Sequence, residues 1–342
     1  MTTIPEPQTT IASLIDKAHE KRTERPRPHM GCSQLGHPCD RWLWLSFRWA
    51  VVEPFPGRIL RLFRRGHHEE NWIVSDLRSI GIDIEGTTDE QQRVHFGSHV
   101  SGSLDGIINS GVPEAPKKRH VAEFKTHSKK SFEDLLKKGV KESKPVHWAQ
   151  CQVYMFGKDI DRALYLAVCK DDDRIYTERV RLNKEAAERL VDRGRRIATS
   201  DRMPEPLSTD PSWYQCKFCA AHSLCHGDHL TKQVNCRTCA HYTALEDSTS
   251  HCARWDATIP VKAQHDGCDH HVLHPDLVPW KRRDSGDDWQ ALYIIDGKEI
   301  RNGAPGNGVF ASTELVSNAA ECAAGDATVN EIRDRFNGRI AG

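Results

Sequence analysis

The sequence lacks features that would narrow its function at once. No apolar run approaches the roughly 20 residues that a membrane-spanning helix needs, so we expect no membrane partner. The first 16 residues are polar and hold no apolar segment typical of a secretory signal. Neither charge sign is in excess, since 48 basic residues balance 48 acidic ones, and net charge by itself therefore does not indicate a polyanionic partner. We expect a cytoplasmic protein in a reducing compartment.

Length and composition indicate a folded chain of more than one part. At about 100–200 residues per domain, 342 residues suffice for about two domains, and 38% hydrophobic residues support a packed core. Composition shifts divide the chain into a polar lead-in and three folded parts. The predicted divisions are a lead-in over 1–30, a main domain over 31–227, a Cys-rich module over 228–280 and a small α/β tail over 281–342.

Hydrophobic periodicity and glycine breaks predict an α/β or α+β layer with a small central sheet. Predicted helices cover 39–47, 66–80, 132–138, 146–156 and 183–200, the last one capped by Asn183. Predicted strands cover 93–96, 100–108 and 120–125, and a hairpin covers 163–169 and 175–180. A further hairpin around 296–297 and a final helix are predicted in the tail.

The chain has twelve cysteines, and one group of them has metal-ligand spacing. Cys216, Cys219 and Cys225 form a C-x2-C-x5-C pattern, and packing does not explain three thiols within ten residues. Zinc sites and iron–sulfur clusters both take four cysteine thiolates, and the spacing does not decide between them. Cys39 is the natural fourth ligand, and Cys32 competes for that place.

A second group has the pattern C-x2-C-x12-C-x15-C over Cys236, Cys239, Cys252 and Cys268. Four cysteines that begin with such a pair are typical of structural zinc. Histidines near the group could each replace one cysteine. They are His241, His251, His270 and His271. Three more cysteines lie in apolar or alanine-rich surroundings and are predicted to be core residues: Cys151, Cys169 and Cys322.

Asp105 and the segment Glu123-Phe124-Lys125 carry the candidate chemistry. Alternate residues of a strand share a face, so Glu123 and Lys125 would project together while the Phe124 carbonyl stays available. Paired carboxylates bind hard cations such as Mg2+, which support phosphodiester hydrolysis. Lys125 could orient or deprotonate the attacking water, and a lysine pKa of about 10.4 favours orienting it. The alternative is that these are ordinary surface charges on an edge strand.

Other polar residues could complete such a site. Gln150 and Tyr154 are spaced i,i+4 on a predicted helix and could contact a phosphate together. Glu70 could add a third carboxylate, although an acidic residue at this position would also suit an ordinary helix start. Its competitors for that role are Glu69, His67 and His68.

Basic residues surround the proposed site. Residues 117–144 contain ten Lys or Arg against four Asp or Glu, and Arg58, Arg61, Arg64 and Arg65 form a second group. This local excess suits a nucleic-acid backbone, although solvated helix faces account for about half of the lysines.

Together these motifs resemble the PD-(D/E)XK nuclease superfamily, and specifically its RecB-type branch with an iron–sulfur cluster. That branch includes AddB-type helicase-nuclease subunits and CRISPR-associated RecB-like exonucleases. The resemblance covers roughly residues 30–226, in the order of the family. It rests on Gly66…Glu70, Gly102-Ser103-Leu104-Asp105, Glu123-Phe124-Lys125, Gln150…Tyr154 and the four cysteines Cys39, Cys216, Cys219 and Cys225.

The resemblance implies a restriction-endonuclease-like core, in which a small central mixed sheet is flanked by helices. It implies a [4Fe-4S] cluster on Cys39 and the downstream trio, and Mg2+ or Mn2+ held by Asp105, Glu123 and the Phe124 carbonyl. It makes Lys125 catalytic and Gln150 and Tyr154 substrate-side residues. Leu104 stands where the superfamily name has proline, and many cluster-containing members have histidine at the position of Glu70.

The expected activity is therefore that of a Mg2+- or Mn2+-dependent DNA exonuclease. It would act on DNA ends or single strands and leave 5′-phosphate products. The Cys-rich segment past residue 228 is similar to the tail of some phage-encoded relatives. This similarity points to a role in recombination, replication or repair, with a recombination or single-strand-annealing partner. The cluster is expected to be structural, because it would close a loop of about 175 residues. The alternatives are a nuclease of CRISPR adaptation and a non-catalytic zinc and nucleic-acid-binding protein.

Overall fold

The computed structural model describes residues 9–22, 25–52, 54–227 and 230–341. The helices of the first 230 residues are α1 (Ile11–Glu20), α2 (Asp40–Phe47), α3 (Gly57–Ser79), α4 (Lys129–Ser143), α5 (Pro145–Lys158), α6 (Lys184–Thr199), α7 (Tyr214–Lys217) and α8 (His222–His226). The later helices are α9 (Val261–Asp266), α10 (Ser312–Ala324) and α11 (Ala327–Arg335).

Short strands alternate with these helices. The strands of the first part are β1 (Met30–Gly31), β2 (Asp83–Glu85), β3 (Arg93–Gly97), β4 (Val100–Ser103), β5 (Gly106–Ser110), β6 (His120–His127), β7 (Arg162–Cys169) and β8 (Ile175–Arg181). The later strands are β9 (Tyr242–Ala244), β10 (Ser250–Cys252), β11 (Ala257–Thr258), β12 (Lys281–Arg283), β13 (Ala291–Ile295), β14 (Lys298–Asn302) and β15 (Val309–Phe310).

The central sheet has the strand order β2-β5-β6-β7-β8. Strands β6 and β7 pair in parallel and the other pairs are antiparallel, so the sheet is mixed. Helix α3 packs its apolar side on one face, where Ile73 and Leu77 meet Phe124 and Leu166. Helices α4 and α5 cover the other face. The predicted α/β class, with a small mixed sheet flanked by helices, is confirmed.

The predicted strand over 100–108 is wrong as a single element. It splits into β4 and β5, which belong to different sheets: β4 pairs with β1 and β3, and β5 pairs with β2 and β6. The chain changes sheets at Leu104, whose N–H donates to the Gln92 carbonyl at 2.9 Å. Asp105 lies at this break, which leaves its side chain free to turn toward β6.

Other elements are longer than predicted or were not predicted. Helix α3 begins at Gly57 rather than Gly66, since its arginines obscure the apolar period but are good helix formers. Helix α1 lies within the predicted loose lead-in, and Asp16 pairs with Arg61 of α3 at 2.8 Å. Strand β2 was not predicted.

The hairpin β7–β8, the tail hairpin β13–β14 and the Asn183 cap are confirmed, since Asn183 Oδ1 accepts from the Ala186 N–H at 3.0 Å. The final helix consists of α10 and α11, separated at Gly325, whose φ is +67°.

Packing continues across the predicted boundary at 227. Residues 228 and 229 lie outside the described residues, but Tyr242 and Leu277 belong to the same hydrophobic cluster as Leu43 and Trp44. The tail forms a second cluster around Tyr293, where β13 and α10 meet. The division into domains stays a prediction.

No helix within the described ranges combines the length and the apolar character that crossing a membrane requires.

Candidate active site

The structure brings Asp105, Glu123 and Lys125 together at the junction of β5 and β6. Asp105 Oδ2 accepts a hydrogen bond from the Phe124 N–H at 2.8 Å. The Lys125 ammonium donates to the Phe124 carbonyl at 3.1 Å, lies 3.9 Å from Asp105 Oδ2 and forms an ion pair with Glu123. Two carboxylates, one carbonyl and one ammonium therefore share a single small volume.

Glu123 is the most deeply buried acid of this group. Its side chain is 0% exposed, and its Oε2 has no hydrogen-bond partner among the described residues, while Oε1 contacts the Lys125 ammonium. Burial raises the pKa of Glu123 to about 8, although the Lys125 charge opposes this rise. Buried polar atoms are nearly always paired, so an orphaned carboxylate oxygen fits a missing cation.

Lys125 keeps its positive charge in this setting. Burial by itself lowers the pKa of Lys125, but the charges of Glu123 and Asp105 outweigh it and raise this pKa above the ordinary value. Lys125 therefore acts as a charged donor in the metal-free protein. This favours orienting water over deprotonating it.

Glu70 reaches the site from α3. It lines a pocket of about 160 Å³ with Gly66, Glu69, Phe124 and Lys125. Burial, and then the charge of Asp105, raise the pKa of Glu70 to about 7. Its competitors His67 and His68 do not line this pocket in the described structure, whereas Glu69 does.

Both candidate residues of α5 are buried. Tyr154 is buried, and burial together with the nearby Glu123 and Asp105 charges raises its pKa. Gln150 is buried as well, but its side chain makes no hydrogen bond to a described residue. Gln152 lies between Gln150 and Tyr154 on α5. It donates to the Arg181 carbonyl at 3.0 Å and accepts from the Asn183 N–H at 2.6 Å, which fixes α5 to the end of β8.

Sequence reasoning missed a polar cluster behind Lys125. The Tyr165 hydroxyl lies 2.9 Å from His127 Nε2 and 2.9 Å from His147 Nδ1, and Ser131 Oγ lies 3.2 Å from His127 Nδ1. Burial lowers the pKa of His127 to about 4 and that of His147 to about 3, so both imidazoles are neutral. The position of His127, two residues after Lys125 on the same strand face, was the available signal.

The first cysteine group lines a single pocket. Its cysteines are Cys39, Cys216, Cys219 and Cys225. Cys39 caps α2, and its sulfur accepts from the Trp42 N–H at 3.4 Å. Burial raises the pKa of Cys225, while Arg41 opposes that rise. Cys32, the competing fourth ligand, is instead buried in the core near Tyr154, so the structure does not bring it to this pocket.

The second cysteine group lines another pocket with three histidines. The lining cysteines are Cys236, Cys239, Cys252 and Cys268, and the histidines are His241, His270 and His271. The Cys239 sulfur accepts from the N–H groups of His241 and Val272, each at 3.5 Å. Burial raises the pKa of Cys239 to about 11, and the neighbouring thiols Cys268 and Cys252 add to the rise. His251 does not line this pocket; it faces Asp256 at 3.2 Å.

The donor sets fit metal groups in their chemistry. Among the described residues, no group of three or more His, Cys, Asp or Glu side chains meets the geometry of a preformed metal site. The fit rests on the oxygen donors at Glu123, with its orphaned Oε2, and on two pockets each lined by four thiols. All twelve cysteines are free of disulfide bonds.

Comparison with known proteins finds similarity at the level of structure only. No family model matches the sequence, and no curated protein matches it. The crystal structure of SSO0001 is similar with a TM-score of 0.41 and 16% identity, over 64% of this chain and 97% of that one. The structure of LHK-Exo in complex with dAMP is similar with a TM-score of 0.36 and 11% identity, over 54% of this chain and 89% of that one.

Proposed function

We propose that this protein is a Mg2+- or Mn2+-dependent DNA nuclease that hydrolyses phosphodiester bonds. The observation that carries the proposal is the convergence of Asp105, Glu123 and Lys125 on one volume, with a carboxylate oxygen of Glu123 buried and unpaired. Buried acids with perturbed pKa values are typical of functional sites.

Asp105 and Glu123 would hold the cation, with Glu70 as a third carboxylate. The Phe124 carbonyl already accepts from Lys125, and its second lone pair is available to the cation. When bound, such a cation neutralises charge on the phosphoryl oxygens and lowers the pKa of a water. Lys125 holds and orients the attacking water through its ammonium, and it stabilises the charge that develops on phosphorus. Tyr154 and Gln150 are proposed substrate-side residues.

The decisive experiment incubates the purified protein with end-labelled DNA and Mg2+ or Mn2+. We expect cleavage by the wild type, and a loss of about 100- to 1,000-fold in the rate for Lys125→Met, since one preorganised donor is removed. Asp105→Asn should lose cleavage as well. Lys184→Met, an exposed lysine on α6 outside both basic groups, is the matched control and should keep the rate. An inactive wild type would favour a non-catalytic nucleic-acid-binding protein.

The finer assignment is an exonuclease that acts on DNA ends or single strands in recombination, replication or repair. It rests on the motif resemblance and on the basic residues of α3 and α4. Circular and linear forms of the same single-stranded DNA separate the outcomes. Degradation of the linear form only would support exonuclease action, and cutting of the circle would contradict it.

We further propose that Cys39, Cys216, Cys219 and Cys225 hold a [4Fe-4S] cluster, because they line one pocket. Such a cluster would tie α2 to the end of the nuclease part. Protein purified without oxygen should show broad visible absorption, iron and acid-labile sulfide. Cys219→Ala should lose these signals together with solubility. A colourless protein that contains zinc alone would contradict the cluster.

The second group, Cys236, Cys239, Cys252 and Cys268, is proposed to hold one structural zinc ion. The two N–H groups that point at the Cys239 sulfur would stabilise a thiolate there. Elemental analysis should find about one zinc per chain, and Cys268→Ser should lower that content and the melting temperature. Wild-type protein without zinc would refute the site.

A further inference from the structure

A long groove lies between α3 and strands β7 and β8, on the sheet face opposite to α4 and α5. It encloses about 1410 Å³ and is lined by both apolar and charged side chains. Its floor consists of Leu166 and Val168, which are buried, and of Ile175, which is 61% exposed; Ile80 also lines the groove and is 72% exposed. Exposed apolar side chains along one concave surface favour a binding site.

One end of the groove is cationic. Arg61, Arg64, Arg65 and His68 line it and recur at helical spacing along α3, so they form one stripe. Arg61 pairs with Asp16, and Arg65 donates to the Lys170 carbonyl at 3.0 Å. Arg64 makes no hydrogen bond or ion pair with a described residue, which leaves its guanidinium available to a phosphate.

Trp72 lies one helical turn beyond His68 on the same stripe. Its side chain is 67% exposed, and its ring stacks on no described aromatic or cationic group. An exposed indole beside a cationic stripe is the usual platform on which nucleobases stack. The ring belongs to none of the hydrophobic core clusters of the described residues.

The groove is continuous with the candidate active site. Glu69 and Ile73 line both the groove and the smaller pocket that contains Glu70 and Lys125. We propose that this groove binds an unpaired nucleic-acid strand, with phosphates at the arginine stripe and a base stacked on Trp72, and leads it to Lys125. The proposal rests on the proposed function and names its substrate as a strand with exposed bases.

Charge and shape favour this occupant over a duplex. Glu69, Asp76 and Asp173 also line the groove and would repel phosphates there, but neutral bases can lie against the apolar floor near them. In a duplex the base faces are hidden by stacking, so Trp72 would have nothing to bind. A protein partner or a second copy of the chain would use the apolar floor but would not need the arginine stripe.

The test measures binding by the full chain in a chelator, so that no cleavage occurs. Fluorescence anisotropy reports the affinity for a labelled oligothymidylate and for a labelled duplex. Trp72→Ala should weaken oligothymidylate binding about 5- to 100-fold, the loss of one stacked base, and change duplex binding little. Trp72→Phe should keep most of the affinity. Phe336→Ala removes a similarly exposed aromatic, 70% exposed, and should have no effect.

Salt dependence tests the arginine stripe separately. Arg64→Ala should reduce the slope of log affinity against log salt by about 0.7, which corresponds to one phosphate contact on a single strand. An unchanged slope would show that Arg64 does not contact a phosphate of the bound strand.

The remaining outcomes are distinct. Unchanged oligothymidylate binding by Trp72→Ala, or an equal loss for the duplex, would overturn the proposal. A dimer of the wild type that Trp72→Ala dissociates would also overturn it, because a second copy would then occupy the groove. Wild-type protein that binds through Trp72 but never cleaves would sustain the groove and refute the nuclease. Wild-type protein that cleaves DNA, together with normal binding by Trp72→Ala, would sustain the nuclease and refute the groove.

Discussion

Burial determines the protonation of the acids at the candidate site. Glu123 has no exposed surface and Glu70 is half-buried, and burial is the largest cause of the raised pKa of both. Burial therefore opposes the ionisation of these carboxyls, and nearby positive charge favours it. The Lys125 ammonium already supplies one such charge, and a divalent cation would add two.

Glu123→Gln tests this account through pH. The pKa of Glu123 is raised from 4.5 to about 8 in the fold, so its contribution to stability is complete below about pH 4.5 and is lost as the pH rises toward 8. Glutamine does not ionise. In a chelator, the melting temperature of the wild type should fall relative to that of Glu123→Gln over this range.

Magnesium should reduce that fall, because a cation favours the ionised carboxylate. Glu331→Gln, on the exposed side of α11, is the control and should follow the wild type at every pH. A constant difference between wild type and Glu123→Gln from pH 4.5 to 8 would contradict the raised pKa.

Glu70 and Glu69 are adjacent acids that the structure distinguishes. Burial, and then the charge of Asp105, raise the pKa of Glu70, which places its carboxylate near the proposed cation. Glu70→Gln should raise the Mg2+ or Mn2+ concentration for half-maximal cleavage by roughly 10- to 100-fold. Glu69→Gln is the matched control. A larger shift in Glu69→Gln would reassign the third carboxylate.

At the scale of elements, the break between β4 and β5 positions the first acid. The chain leaves one sheet at Ser103 and enters another at Gly106, and this turn directs Asp105 toward the Phe124 N–H. Gly102 lies directly before the break, against the ring of Tyr154. A Cβ there would lie 2.8 Å from Cys32 Cβ and 2.9 Å from the Tyr154 hydroxyl oxygen.

Gly102→Ala should therefore destabilise the fold by about 1–3 kcal/mol, the usual cost of overpacking. The free energy of unfolding from urea titration measures it. Gly306→Ala is the control, since a Cβ at Gly306 would meet nothing within 4 Å. Equal stability of Gly102→Ala and wild type would show that Tyr154 can move away from β4 at little cost.

At the scale of the whole molecule, Arg237 joins the Cys-rich segment to the part of the chain that precedes it. It lies between Cys236 and Cys239, is 1% exposed and donates to the carbonyls of Phe47 and Pro28 at 2.8 and 2.7 Å. Its guanidinium also stacks over the Trp49 ring at 4.0 Å. Burial lowers the pKa of Arg237 to about 10, so the charge persists at neutral pH.

Arg237→Ala should lower the free energy of unfolding by about 3 kcal/mol or more, because buried carbonyls lose a charged donor. If the two parts fold together, calorimetry should show one transition at a lower temperature. Arg189→Ala removes an exposed i,i+4 pair with Glu185 and should change stability by less than about 0.5 kcal/mol. A separate, unshifted transition of the preceding part in Arg237→Ala would show that the Cys-rich segment is independent.

The sequence by itself determined the α/β class, most of the elements and the residue types of the candidate site. These follow from local rules: alternation places Glu123 and Lys125 on one face of β6, asparagine caps α6, and cysteine spacing marks two groups. Only the tertiary structure decided which distant residues meet. It turned the chain at Asp105, placed Glu70 rather than His67 beside it, and put Cys32 in the core instead of with Cys39.

It also placed His127 and His147 around the Tyr165 hydroxyl, brought Arg237 to the Phe47 carbonyl, and opened the groove beside Trp72. Such contacts join residues far apart in the chain, and many chain paths satisfy the same local patterns. Burial and the resulting pKa shifts depend on which path the packed core selects, so they emerge only when the chain is folded.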